Sequence, residues 1–174
     1  MKFKKILNLI LCLAMTVTMF STGAIKVHAV ETPVNTNLAL TKPVVTNLLS
    51  VNDPSFLTDG KIETRMKSSI YDIKPSVDDP FWAYVDLGSV QEMNYFSVVW
   101  ESDSNYAKDF KIYTTSEETI NDNTQWTLVK EVTNNTSGRT SEIELEKSVS
   151  GRYITLEVTA VTGYPNVSAC EFIV

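Results

Sequence analysis

The chain has 174 residues, with 15 lysines and arginines against 21 aspartates and glutamates, one histidine and two cysteines. A net charge of −6 at pH 7 argues against nucleic acid and against anionic membranes, because both demand a basic surface. The length suits one domain with a full core.

Residues 1–29 read as a secretory leader. Lys2, Lys4 and Lys5 charge its start, Ile6 to Phe20 supply the apolar stretch, and Val27-His28-Ala29 fits the small-x-small cleavage rule loosely. Cleavage is expected after Ala29, giving an exported protein with no membrane insertion. Asn8, Thr16 and Thr18 interrupt the apolar run, which is short for a spanning helix. Cys12 follows Leu11, not a small residue, so it does not look like a lipidation site. The leader holds four lysines and no acid, so its removal leaves 11 basic and 21 acidic residues and a net charge of −10. It also takes His28, the sole histidine, and Cys12. Ser-His-Asp and Cys-His chemistry and the usual zinc sites are thereby excluded, as is an intramolecular disulfide.

Residues 30–37 read as a flexible lead-in to a domain over 38–174. Strand patterns follow at Phe81–Leu87, Met93–Trp100, Phe110–Tyr113, Trp126–Val129, Ile143–Leu145, Tyr153–Val161 and Phe172–Val174. Apolar residues alternate with polar ones in several of these, and turn clusters separate them, which is the mark of an antiparallel sandwich or barrel. One short helical turn is expected within Ser116–Asn123. Trp82, Trp100 and Trp126 fall inside strand patterns and are expected in the core.

The run Leu57-Thr58-Asp59-Gly60-Lys61-Ile62-Glu63-Thr64-Arg65 is too short for a regular element. Hard oxygen donors on a glycine turn are how a loop wraps calcium. An Asp-Gly turn whose Asp59 bonds its own backbone is the plainer alternative. Asp78 and Asp79, side by side before Pro80, suit a solvated turn better than glycosidase carboxylates held across a cleft. Asn134, Asn135 and Asn166 head N-x-S/T sequons, which mean nothing if the source is bacterial.

Several ordered segments resemble the discoidin domain, also called the coagulation factor 5/8 type C domain, and within it bacterial family 32 carbohydrate-binding modules. They are Asn37 to Val44 (NLALTKPV), the Leu57–Arg65 loop, Phe81 to Gly88 (FWAYVDLG), Trp100-Glu101 with Tyr106 to Tyr113 (YAKDFKIY), Gly151 to Ile154 (GRYI), and Ala169 to Phe172 (ACEF). Each is weak alone; their order and spacing make the set strong. The resemblance implies an eight-stranded antiparallel jelly-roll sandwich with adjacent termini. It also implies a structural calcium ion held by the carbonyls of Leu57, Lys61 and Cys170 and the side chains of Asp59, Thr64 and Glu171. Two residues depart from the family pattern. Lys61 stands where Asn or Asp is preferred, bringing an ammonium near the ion unless it points to solvent. Met66 replaces a tryptophan behind the loop.

Family members usually bind sugars in loops at one end of the sandwich. An aromatic face and planar polar groups are needed there. Tyr71, Glu101, Tyr106, Arg139, Tyr164 and Asn166 are the loop residues of that chemistry; the missing histidine weakens a plain galactose assignment. The resulting expectation is a secreted, non-catalytic, lectin-like module whose partner is a glycan or glycoprotein sugar, with structural calcium. A surface-protein adhesion module and the accessory fragment of a partner glycoside hydrolase are the alternatives.

Overall fold

A computed structural model describes residues 36–47, 52–69 and 74–174. The leader, most of the lead-in and Tyr71 lie outside the described residues. The elements are β1 (Val44–Thr46), a short 3-10 helix (Pro54–Leu57), β2 (Met66–Lys67), β3 (Phe81–Trp100), β4 (Ala107–Thr115), β5 (Thr127–Val132), β6 (Thr140–Val161) and β7 (Ser168–Ile173). All strand pairs are antiparallel. Seven strands are present among the described residues, not the expected eight. The helical turn expected within Ser116–Asn123 is absent, and that segment is turns and irregular chain. Helix forms instead at Pro54–Leu57, where Asp53 caps the first turn by accepting from Ser55 N.

Two long strands organise the sandwich. β3 and β6 pair along most of their lengths, with register shifts between Asp86 and Gln91 and between Met93 and Tyr95. Before the first shift, β3 is flanked by β1, and β6 carries β4 and then β5. After the shifts, β3 is flanked by β7, which carries β2. One layer therefore runs β1-β3-β6-β4-β5 and the other β2-β7-β3-β6. Gly88, with φ of 89°, takes the left-handed conformation near the bend. Asp86 and Arg152 form a bidentate pair there, both contacts 2.9 Å, and the guanidinium hydrogen bonds hold the Asp86 carboxyl below its ordinary range.

The core lies between the layers and includes Phe81, Val85, Phe96, Val98, Trp100, Phe110, Ile112, Ile154, Leu156 and Phe172. The shifts reverse the inward parity of β3. Phe81, Ala83, Val85, Leu87 and Met93 face inward in the first part, whereas Phe96, Val98 and Trp100 do so in the last. A single extra residue in a strand sends every later side chain to the opposite face. Trp100 is accordingly fully buried, as expected. Trp82 and Trp126 are not core residues: both are half-buried and line a groove on the outer face of the first layer.

The ends of the domain meet. Leu38 N donates to Val174 O at 2.7 Å, and Val174 N donates to Asn37 Oδ1 at 3.3 Å.

Candidate functional site

The loops at 101–106, 133–139 and 162–167 converge on the end of β3. Trp100 N donates to Arg139 O at 2.7 Å, and the buried Trp100 indole N–H donates to Ser141 Oγ at 2.9 Å. Glu101 N donates to Ser168 O at 3.2 Å. Gly163, at φ of 67°, lies so close to the next loop that a methyl group there would stand 2.4 Å from the Ser104 carbonyl oxygen.

Glu101 is held from both sides. Its Oε1 lies 3.3 Å from Arg65 Nε, and its Oε2 accepts from Asn105 Nδ2 at 2.7 Å. Arg139 reaches across the loops, donating from its backbone to Asp103 Oδ1 at 2.9 Å and from a guanidinium nitrogen to Ile62 O at 3.3 Å. Its Nε is buried and has no protein partner among the described residues. Cys170 lies beneath, its thiol donating to Trp100 O at 3.7 Å. Burial pushes that thiol's pKa up, while Arg139 and Arg65 draw it down.

The structure thus brings together Glu101 and Arg139, and Tyr164, 68% exposed, stands on the 162–167 loop, which packs against the 101–106 loop through Thr162 and Gly163. Tyr106 is half-buried and packs on the core, its backbone paired with Thr162, so it serves the loop more than its surface. Asn166 is a correction: its side chain is fully buried and cannot be offered to a ligand at the surface. Its amide has no protein partner among the described residues, and neither does the neighbouring Ser168 hydroxyl. Arg65 and Asn105 were missed. The Thr64-Arg65 pair in the loop motif was the available signal for the first; Asn105 had none.

The 57–64 loop closes against β7. Gly60, at φ of 78°, turns the chain beside Leu40. Asp59 Oδ1 accepts from Lys61 N at 2.9 Å and Oδ2 from Thr64 Oγ1 at 2.8 Å. Glu171 Oε1 accepts from Lys61 N at 2.7 Å across 110 positions of sequence. Glu171 is 3% exposed, and its Oε2 has no protein partner among the described residues. Burial is the main reason its pKa rises to about 7; the Lys61 N–H pulls it down and the adjacent Asp59 pushes it further up. A buried carboxylate with an orphaned oxygen, beside a second carboxylate and a hydroxyl, is a donor set that fits a hard divalent cation. Lys61 is exposed, which leaves its ammonium to solvent. Met66 is fully buried and pairs with Ala169 behind the loop. Asp78 and Asp79 are exposed, in a turn closed by Asp79 N donating to Ser76 Oγ at 3.1 Å.

A family model of the F5/8 type C domain matches residues 45–172. The chain belongs to this family. Chitosan-binding module 1 derived from chitosanase/glucanase from Paenibacillus sp. IK-5 superposes on this F5/8 type C domain with a TM-score of 0.65 and 28% identity, over 79% of this chain and 97% of the other. Chitosan-binding module 2 of the same enzyme, solved with chitotriose, gives 0.65 and 25% over 78% and 97%. The family 32 module of C. perfringens NanJ, solved with galactose, shares the fold, with a TM-score of 0.62 and 17% identity over 76% and 92%. No curated protein sequence matches the chain. Among the described residues no helix is long and apolar enough to cross a membrane.

Proposed function

We propose that this F5/8 type C domain is a secreted, non-catalytic carbohydrate-binding module that takes a glycan at its loop end, on a fold braced by calcium. The observation that carries this reading is Glu101, fixed between Arg65 and Asn105 beside Arg139. Guanidinium groups donate in pairs to neighbouring ring hydroxyls, and a carboxylate accepts from a third. Tyr164 supplies an exposed aromatic face for the apolar side of a sugar ring. The similarity to chitosan-binding modules supports a glycan ligand.

Among the described residues the loop end carries two carboxylates, and both are engaged: Glu101 by a cation and an amide, and Asp103 by the Arg139 backbone N–H. Binding is therefore an equilibrium with preformed loops. A single shallow sugar site is weak, and useful avidity comes from clustering or from tethering to a partner.

The carbonyls of Leu57, Lys61 and Cys170 with Asp59, Thr64 and Glu171 would hold the calcium ion. Its charge would offset the paired carboxylates, and it would tie an early loop to the last strand.

A glycan array probed in calcium tests the reading. Binding to a restricted set of sugars, lost in Arg139→Ala, is expected. A blank array across plant, microbial and animal glycans would sink it, and turnover of any glycoside by the pure chain would overturn its non-catalytic part.

A further inference from the structure

The outer face of the β1-β3-β6-β4-β5 layer carries a groove of about 630 Å³ that shares no lining residue with the loop end. Its floor is a row across four strands in register: Val45, Tyr84, Thr155 and Tyr113. Trp82 and Glu157 form the next row, and Trp126 overhangs from the segment before β5. The Trp82 and Tyr84 rings lie nearly parallel, 17° apart with centroids at 5.9 Å, and the Tyr84 and Trp126 centroids are 6.3 Å apart.

Two features say what such a groove takes. Thr155 is 8% exposed, and its Oγ1 has no protein partner among the described residues, so a hydroxyl in the floor awaits a hydrogen bond. The charge is one-sided as well. Glu157 accepts from Tyr113 OH at 3.2 Å, and the Lys111 ammonium is shared between Glu157 at 3.8 Å and Glu131 at 3.7 Å. Asp122 adds an exposed carboxylate at the rim. The cation is thus neutralised, and phosphates, sulfates and uronates meet only repulsion.

Aromatic faces, hydroxyls and two carboxylates, without free positive charge among the described lining residues, match the alternating CH and OH surfaces of a sugar chain. The volume lies within the ~300–1,000 Å³ usual for ligand sites, and the groove crosses the sheet from β1 to the 120–126 segment, so it suits a stretch of chain better than one terminal ring. We infer that this groove is a second carbohydrate-binding site, for an internal stretch of a glycan that carries no anionic groups. It is independent of the loop-end reading.

Two-dimensional NMR of the whole domain tests this through its tryptophan indole N–H signals, with cellohexaose, mannohexaose and the glucosamine hexamer as probes and a proline-rich peptide as the competing class. At least one hexamer should shift Trp82 and Trp126 saturably and leave Trp100 unmoved. Trp126→Ala should weaken that binding by about tenfold, the size of one lost aromatic stacking contact, while Arg139→Ala leaves it unchanged. An unaltered Trp100 signal checks that the Trp126 variant is folded. The proposal is overturned if all three hexamers leave both signals fixed, if the shifts survive Trp126→Ala undiminished, or if the peptide moves them where no hexamer does. Movement of Glu101, Arg139 and Tyr164 amides alone would sink the groove and keep the loop end; movement of the groove alone would do the reverse.

Discussion

Glu101, Arg65 and Arg139 stand on segments that join strands, whereas Trp82, Tyr84 and Thr155 stand on the strands of the sheet. The loop residues are held by one another: Arg139 spans from the 133–139 loop to Ile62 of the 57–64 loop, a clasp that closes on Glu171 through Lys61 N. The groove residues are held by ladder hydrogen bonds whose other face is core. The difference separates the two surfaces by what each depends on. The loop end should answer to the proposed calcium, and the groove to the packing of the layer beneath it.

The largest expected effect comes from the clasp. At a calcium concentration about a hundredfold over its dissociation constant, the proposed ion would contribute about 2.7 kcal/mol, which is a melting shift of roughly 5–10 °C for a domain of this size. Chelation should lower the midpoint by that amount and weaken loop-end binding while sparing the groove; an unchanged midpoint would remove the calcium proposal. The pH dependence without metal has a definite sign. Folding raises the Glu171 pKa from 4.5 to about 7, so the folded state holds the proton more tightly. Glu171 therefore favours folding below about pH 4.5, and that contribution is lost as pH rises through 7. Thermal melts in chelator should show stability falling between pH 5 and 8, and calcium should abolish the fall. Glu171→Gln, neutral at every pH, should melt above the wild type in chelator at pH 8 yet show no response to calcium.

Next in size is Arg139→Ala. Hydrogen bonds to a charged group contribute about 1.5–3 kcal/mol, which corresponds to a loss of roughly tenfold to a hundredfold in loop-end affinity by calorimetry. A loss at the groove as well would show that the two surfaces are coupled.

Gly151→Ala should act on the groove side. A methyl group there would stand 1.6 Å from Thr114 Oγ1, which donates to Tyr153 O at 3.1 Å. Overpacking of this kind costs about 1–3 kcal/mol, a melting decrease of a few degrees that should be the same with and without calcium. A calcium-dependent decrease would mean that the layer and the clasp are not separate.

Most of the fold was legible because alternation and turn clusters are local signals. Phe81–Leu87 and Met93–Trp100 were read as two strands and are the two parts of β3. At the candidate site, residue type alone pointed to Glu101, just after β3, and Arg139, just before β6, because neither is of use to a core. The groove was not legible, because tryptophan in a strand pattern defaults to the interior. Which face is interior depends on the register shifts in β3, and nothing in the alternation marks them: Trp82 and Trp100 have the same parity and opposite fates. Asn166 was misread for the converse reason. A polar residue after a Tyr-Pro turn looks exposed, yet the chain has already turned inward to begin β7.

The paired ends have a mechanical meaning. One backbone hydrogen bond joins Leu38 N to Val174 O, and the Asn37 side chain accepts a second from Val174 N. A load applied through the flanking chain at these two points would part those bonds in turn, as a zipper opens, and would not shear the long β3–β6 ladder. A module tethered there could let its first residues peel under tension while the layers that carry both candidate surfaces kept their shape.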